Sequence, residues 1–252
     1  MEPGMFERLF AQMVELWLQP EIERRRDTNA GQVPSTISRA QVIFFADGRR
    51  NEVRFNEELD IEVAVEYVDG YVPTESEAFN PRKVRAVRAI SLRGEQYANG
   101  GHMTLLPNAE GWQISFDLVY NRANAQKHLA AADEFLAAAQ DALARDHMRL
   151  FADALFSACE LGAKAALLAD AGPEFLAGTN HRAIKARFNL QAKVGNVASG
   201  HASVLNRLTQ LRGSARYLDA EYTLCRTEAE AMLAVVQAVV SDAREYYERR
   251  AV

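Results

Sequence analysis

Trp112-Gln113-Ile114-Ser115-Phe116-Asp117-Leu118-Val119-Tyr120-Asn121 alternates apolar and polar side chains as far as Leu118 and loses the alternation by Asn121. Successive side chains of a strand point to opposite faces. Trp112, Ile114, Phe116, Leu118 and Tyr120 therefore share one face, and Gln113, Ser115 and Asp117 take the other. Past Asn121 the period changes. Leu129, Ala132, Leu136, Ala139 and Leu143 recur at steps of three and four, which draws an apolar stripe on a helix. The chain thus divides here, with strands before the junction and helices after it.

Upstream, from about Thr36, the strand pattern repeats. Leu59, Ile61, Val63, Val65 and Tyr67 alternate with Asp60, Glu62, Ala64 and Glu66, and Val42–Phe45, Val53–Phe55, Val84–Leu92 and Met103–Leu106 are weaker strands. Asp47-Gly48, Asp69-Gly70, Asn99-Gly100-Gly101 and Gly111 punctuate them as turns. Short turns and one-sided alternation predict an antiparallel sheet with one wetted face. Ahead of the sheet, Phe6, Leu9, Phe10, Met13, Leu16 and Trp17 mark an amphipathic helix that Pro20 ends or kinks.

Downstream, Phe151, Leu155, Ala158, Leu161 and Ala165 form a second helical stripe before Gly172-Pro173, so two long helices pair as a hairpin. A shorter helix runs from an Asn180 cap through Ile184 and Phe188, and another from Ser199 to Leu211. Thr227-Glu228-Ala229-Glu230 reads as a capping box for a last helix bearing Met232, Val236, Val239 and Ala243. The fold class is α+β: an N-terminal helix and antiparallel β-sheet domain over 1–120, then a helical bundle over 121–252.

The chain has 252 residues, 48% of them hydrophobic, with 34 acidic and 29 basic side chains and a net charge of -5. Overall charge repels polyanions, so nucleic-acid binding must use a local basic patch. No apolar run reaches the length of a membrane span, and the N-terminus lacks a basic-then-apolar leader, so the expectation is a cytoplasmic protein with no membrane partner. Cys159 and Cys225 fall in predicted helices among apolar neighbours and read as buried thiols. Scattered histidines, with neither CxxC nor HExxH, predict no metal and no cofactor.

Leu211-Arg212-Gly213-Ser214-Ala215-Arg216-Tyr217, Arg207-Leu208 before it, the basic helix His181-Arg182-Ala183-Ile184-Lys185-Ala186-Arg187-Phe188 and the capped last helix follow two long helices. This order over Lys127 to Tyr247 resembles a HEPN domain. In the RNase members of that family an arginine is followed after about four to six residues by a histidine, and paired domains bring two such motifs to a dimer cleft. Arg212 fits the first position and Tyr217 stands at the second. The segment is similar to the Arg-x-x-Ala-Asp-Tyr form of HEPN proteins that accompany nucleotidyltransferases, with Arg216 in place of the aspartate.

The resemblance implies a homodimer and, with the histidine replaced, a catalytically degenerate accessory protein that binds RNA or a protein partner in a toxin–antitoxin or defence-type system. An imidazole titrates near pH 6.5 and exchanges protons at neutral pH, whereas a phenol near 10 is a poor base. Arg207, Arg212, Arg216, Tyr217, His181 and His201 are the candidate contacts. Arg212 either clamps a phosphate or bonds the last carbonyls of its own helix while Tyr217 packs its ring. If the chain is an enzyme, it is a metal-independent endoribonuclease that uses Arg212 with a relocated base, His181 or His201. A third reading is a scaffold that binds its partner through the sheet. There Arg82, Lys83, Arg85 and Arg93, with Tyr97 nearby, form a second basic patch, which reads first as a solvated edge strand protected from mispairing by its charges, Arg88 pointing away. Glu160 and Lys164, one turn apart, read as an ion pair, and Arg24-Arg25-Arg26 needs no ligand.

Overall fold

The computed structural model describes residues 4–29, 32–73, 80–169, 180–217 and 222–249. They form two compact units, one ending at Val119 and the other spanning Tyr120–Arg249. Gly172-Pro173, expected to close the second long helix, lies outside the described residues.

In the first unit α1 (Met5–Met13) runs through one π turn (Val14–Leu18) into α2 (Gln19–Thr28). Pro20 has no N–H to give, so an uninterrupted ladder would lose a bond there. The π turn takes up the mismatch, with the Gln19 N–H donating to the Val14 carbonyl, and Pro20 then sits in the first turn of α2. The helix therefore continues through the charged run to Thr28 instead of ending near Pro20.

β1 (Ala40–Phe45), β2 (Glu52–Phe55), β5 (Gly100–Asn108) and β6 (Gly111–Asp117) make an antiparallel sheet in the order β2-β1-β5-β6, and β3 (Ile61–Tyr67) pairs with β4 (Val84–Leu92) as a separate hairpin. One face of the larger sheet, with Ala40, Val42, Val53, Phe55, Leu105 and Ile114, packs on Met13, Leu18 and Trp17 of the helix. The other face meets the hairpin, where Leu106 packs with Val84 and Val87 and the Gln113 side chain exchanges two hydrogen bonds with the Val87 backbone. β6 is an edge strand. Of its expected inward residues only Ile114 is buried, and Trp112, Phe116 and Leu118 are exposed.

Arg25 is the buried fastener of this unit. Its five N–H groups meet five acceptors: Glu21 Oε1 at 2.9 Å, Glu58 Oε1 at 2.7 Å and Oε2 at 2.9 Å, and the carbonyls of Gln32 at 2.9 Å and Val53 at 3.0 Å. A buried guanidinium so fully satisfied ties the end of α2 to β2, and removing one partner would strand a buried charge.

The second unit contains α3 (Arg122–Ala144), α4 (Met148–Leu168), α5 (His181–Lys193), α6 (Ser199–Tyr217) and α7 (Arg226–Arg249). The α3–α4 hairpin closes on Asp146, whose φ is 59°. The His147 N–H reaches the Ala142 carbonyl at 2.8 Å and the Asp146 N–H the Leu143 carbonyl at 3.1 Å, as in a Schellman ending. Asn180 caps α5, its side chain accepting from the Ala183 N–H at 2.9 Å. α7 starts two residues earlier than the capping box implied, with Cys225 rather than Thr227 at the cap: the Ala229 N–H bonds the Cys225 carbonyl at 3.0 Å, and Glu230 takes the Arg226 guanidinium at 3.1 Å. Cys225 is exposed, against expectation, because it precedes the helix; Cys159 is buried in α4, and burial pushes its thiol up to about 12.

α4 is the hub, packed against α3, α5, α6 and α7. Gly162 lets α7 approach: a Cβ there would lie 3.0 Å from Val240 Cγ2 and 3.2 Å from Val239 Cγ1. Both valines are buried and branched, so neither can yield cheaply. Gly162→Ala is expected to cost about 1–3 kcal/mol by overpacking, read as a lower midpoint in chemical denaturation followed by helical circular dichroism.

The Glu21 carboxyl is held well below its ordinary 4.5, at about 2, by its hydrogen bond from Arg24, with Arg25 adding and burial opposing. Since the folded value is depressed, its stabilising effect is complete above the unfolded value of roughly 4.3 and is lost as pH falls toward 2. Both tryptophans, Trp17 and Trp112, lie in the first unit, so acid titration followed by tryptophan fluorescence reports on it alone. Glu21→Gln should flatten that acid transition and lower stability at neutral pH.

Candidate functional site

Asp153, Phe156 and Glu160 lie on one face of α4, at steps of three and four. The last turns of α6 and the first turn of α5 close on this face. Arg212 Nε donates to Asp153 Oδ1 at 3.3 Å, and its guanidinium centre stands 4.5 Å from the centroid of the Phe156 ring. One turn on, Arg216 takes the same carboxylate with both arms, Nε to Oδ1 at 2.7 Å and Nη2 to Oδ2 at 2.9 Å. His181 meets Phe156 edge-on with ring centroids 5.8 Å apart, and its Nδ1 bonds Glu160 Oε1. Arg212 and His181, distant in sequence, thus stand against the same phenyl ring.

This arrangement fixes both groups while leaving each a working edge. Arg212 is restrained at Nε and across its face, and its terminal amino groups have no partner among the described residues. A planar guanidinium held in this way keeps its bidentate edge for an anion at little entropic cost. His181 is mostly exposed, whereas Glu160 is largely buried, so the carboxylate orients the ring. With Nδ1 committed to Glu160, neutral His181 leaves Nε2 as its proton-accepting nitrogen, as second-shell carboxylates do for other histidines.

α6 runs on to Tyr217, whereas the sequence reading stopped it at Leu211, the last buried apolar residue of the helix. Polar contacts hold the extension. Arg149 Nη1 donates to the Ser214 carbonyl at 2.6 Å and lies over the Tyr222 ring at 4.7 Å, beside an open recess of ≈ 510 Å³. Arg149, not Arg212, therefore satisfies the terminal carbonyls. Tyr217 is the last residue of the helix.

The remaining candidates are dispersed. Arg207 bonds Glu228 at 2.8 Å and the Thr223 carbonyl at 3.3 Å, steering the chain into α7; the Glu228 bond raises its guanidinium further, against some burial. His201 sits at the opposite end of α6, 3.8 Å from Asp242, and eleven residues of helix place it about 16 Å from Arg212 along the axis. It is not part of the cluster. Glu160 is engaged by His181 rather than by Lys164. Lys164 instead lies near His128, which burial and that ammonium together push down.

The second basic patch is a set of cross-strand ion pairs. The β3–β4 register skips Arg88 and Arg85, so each is the extra residue of a bulge, and both turn onto Glu66. Arg88 consequently joins Arg85, whereas an ideal strand would have separated them. Arg93 pairs with Glu62 at 3.3 Å and Asp60 at 3.7 Å, Lys83 lies 5.3 Å from the Tyr71 ring centroid, and Arg82 sits exposed in the turn capped by Asn80. The Tyr97 ring is covered by Arg54 at 4.5 Å. A charged cleft of ≈ 650 Å³ also lies in this unit, lined by Glu21, Arg24, Arg25, Arg50 and Glu58, whose charges largely satisfy one another.

Sequence reasoning missed Asp153, Phe156 and Arg149. The available signal was that Asp153 and Glu160 are acids one heptad apart on a helix otherwise dominated by buried Ala, Leu and Phe. Charged groups on such a helix need partners, and here the partners are the site. Among the described residues no group of His, Cys, Asp and Glu is placed to hold a metal ion, and no helix is long and apolar enough to cross a membrane.

The family model described as HEPN domain matches residues 125–246, covering the bundle from α3 into α7. A HEPN domain points to an RNA-related or nuclease-like role. None of the curated proteins matches the chain. The geometry makes its own expectation: neutral His181 carries its proton on Nδ1. Long-range proton–nitrogen NMR above the imidazole range should show that tautomer, and Glu160→Ala should return the ring to a mixture dominated by Nε2–H.

Proposed function

We propose, on the premise that residues 125–246 form a HEPN domain, that this domain binds single-stranded RNA through its α4–α5–α6 face, with Arg212 taking a backbone phosphate. The observation that carries the reading is the Arg212 guanidinium, fixed by Asp153 and Phe156, with no partner for its terminal amino groups among the described residues. The basic helix α5 supports it, since Arg182, Lys185, Arg187 and Lys193 occur there without one acidic residue. In a chain of net charge -5 such a local concentration is what polyanion binding requires. Tyr217 in the histidine position removes the family's usual base, so holding RNA is favoured over cutting it by the usual route. A homodimer and a protein partner belong to this reading through the resemblance alone.

The Glu160–His181 couple favours one second reading, a metal-independent endoribonuclease. His181 Nε2 would accept the proton of a ribose 2′-OH as that oxygen attacks phosphorus, while the bond to the 5′ oxygen breaks and that oxygen takes a proton from solvent water, leaving a 2′,3′-cyclic phosphate and a 5′-hydroxyl; His181 then returns its proton to solvent. Arg212 would steady the charge on the phosphoryl oxygens.

Fluorescence anisotropy with a labelled single-stranded RNA, followed by gel analysis of the same mixtures, separates the two. RNA binding that Arg212→Ala weakens about tenfold or more, with the RNA intact, is the expected result, since a charge-assisted phosphate contact is worth about 1.5–3 kcal/mol. Cleavage abolished by both Arg212→Ala and His181→Ala would establish the nuclease reading instead, and no RNA binding by the intact chain would refute both.

A further inference from the structure

α6 carries two glycines, Gly200 near its start and Gly213 in its last turns, although glycine is less favourable in a helix than alanine. Packing does not require Gly213 to be small. A Cβ there would meet no described atom within 4 Å, whereas one at Gly162 would press on Val239 and Val240. The α5–α6 seam shows what faces this open place. Asn189 and Asn206 bond to each other across the seam, and one heptad from each, back along α5 and forward along α6, stand Arg182 and Gly213. His181 and Arg212 both lie against Phe156, so the start of α5 is beside the end of α6 and the two helices run antiparallel. A heptad turns a helix face by only about 20°, so Arg182 lies across the seam from Gly213. Arg182 is exposed and has no partner among the described residues. Bare helix backbone thus separates two guanidiniums, Arg212 on α6 and Arg182 on α5.

We infer, resting on the RNA-binding reading above, that the strand crosses the α5–α6 seam over Gly213, with Arg212 holding one phosphate and Arg182 a neighbouring one. Glycine serves where a backbone and a ligand approach closely, and here its missing side chain lets the sugar–phosphate chain lie on the helix and reach both forks. A long side chain at 213 would stand in that path. A glycine with no such role would be neutral to binding, and its replacement would only strengthen the helix. With the crossing, the same replacement leaves the fold at least as stable and weakens the complex.

The test is fluorescence anisotropy with labelled single-stranded RNA across a series of salt concentrations, with a thermal melt of each protein. Gly213→Gln is expected to melt at the parent's temperature or above it and to bind RNA about tenfold more weakly, the loss of one charge-assisted contact. Gly200→Gln, about 20 Å away along the same helix, should keep the parent's affinity. Arg182→Gln should weaken binding and make the log–log salt slope shallower by about 0.7, the increment for one single-strand phosphate contact. The parent's affinity in Gly213→Gln, or a slope that Arg182→Gln leaves unchanged, overturns the inference while the RNA reading stands. No RNA binding by the parent refutes that reading and the crossing with it. If Gly213→Gln melts below the parent, Gly213→Ala adds only a methyl group and must itself weaken binding at undiminished stability, or the crossing is rejected.

Discussion

The second unit depends on one constraint: α4 is packed by four other helices, so nearly its whole circumference must be apolar and close-fitting. Small residues meet that demand at the α7 contact, where Gly162 lies against Val239 and Val240. Only a narrow strip remains for polar groups, and it holds Asp153 and Glu160 on either side of Phe156. Because α5 and α6 both abut that strip, the residues they bring to it, His181 and Arg212, are placed by core packing rather than by loops. Sites carried on packed helices hold their geometry more closely than loop-borne ones.

The two units treat arginine in different ways. In the first, Arg25 spends all five donors inside a buried network, and the three arginines Arg85, Arg88 and Arg93 meet four acids, Glu66, Asp69, Glu62 and Asp60. Such matching protects a hairpin from mispairing and leaves little field for a polyanion. In the second unit the matching is incomplete by design of the strip, since one aspartate serves two arginines. A patch judged by counting basic residues would favour the hairpin; judged by unspent donors, it is the end of α6 that can hold an anion.

The sequence made the broad fold legible because the hydrophobic period changes at Asn121, and period is set by backbone geometry alone. Asn180 as a cap was equally readable, its short side chain being chemically suited to a free N–H. The end of α6 was not, because apolar periodicity stops at Leu211 while Arg149 and Asp153, sixty residues earlier in the chain, sustain the helix beyond it. The bulges that turn Arg85 and Arg88 to one side likewise depend on register with β3, which alternation does not encode. Of the six candidate residues in the bundle, Arg212, Arg216 and His181 converge on α4, the two arginines at Asp153 and Arg212 with His181 at Phe156, and that ring carries no chemical signature in a sequence: it reads as core.

Convergence on Phe156 also bears on which histidine can act with Arg212. His201 shares a helix with Arg212, and sequence proximity favoured it at least as much as His181. A rigid helix converts eleven residues into a fixed separation of about 16 Å, too far for two groups to act on one phosphodiester. His181 belongs to another helix and escapes that limit, since α5 packs across both α4 and α6, with Asn189 and Asn206 exchanging amide hydrogen bonds at 3.1 and 2.8 Å to fix the α5–α6 contact. Those paired amides set the position of the α5 start, and through it the position of the imidazole. The relation between His181 and Arg212 in this domain is therefore a property of helix packing, and the short segment from Arg212 to Tyr217 contains only half of it.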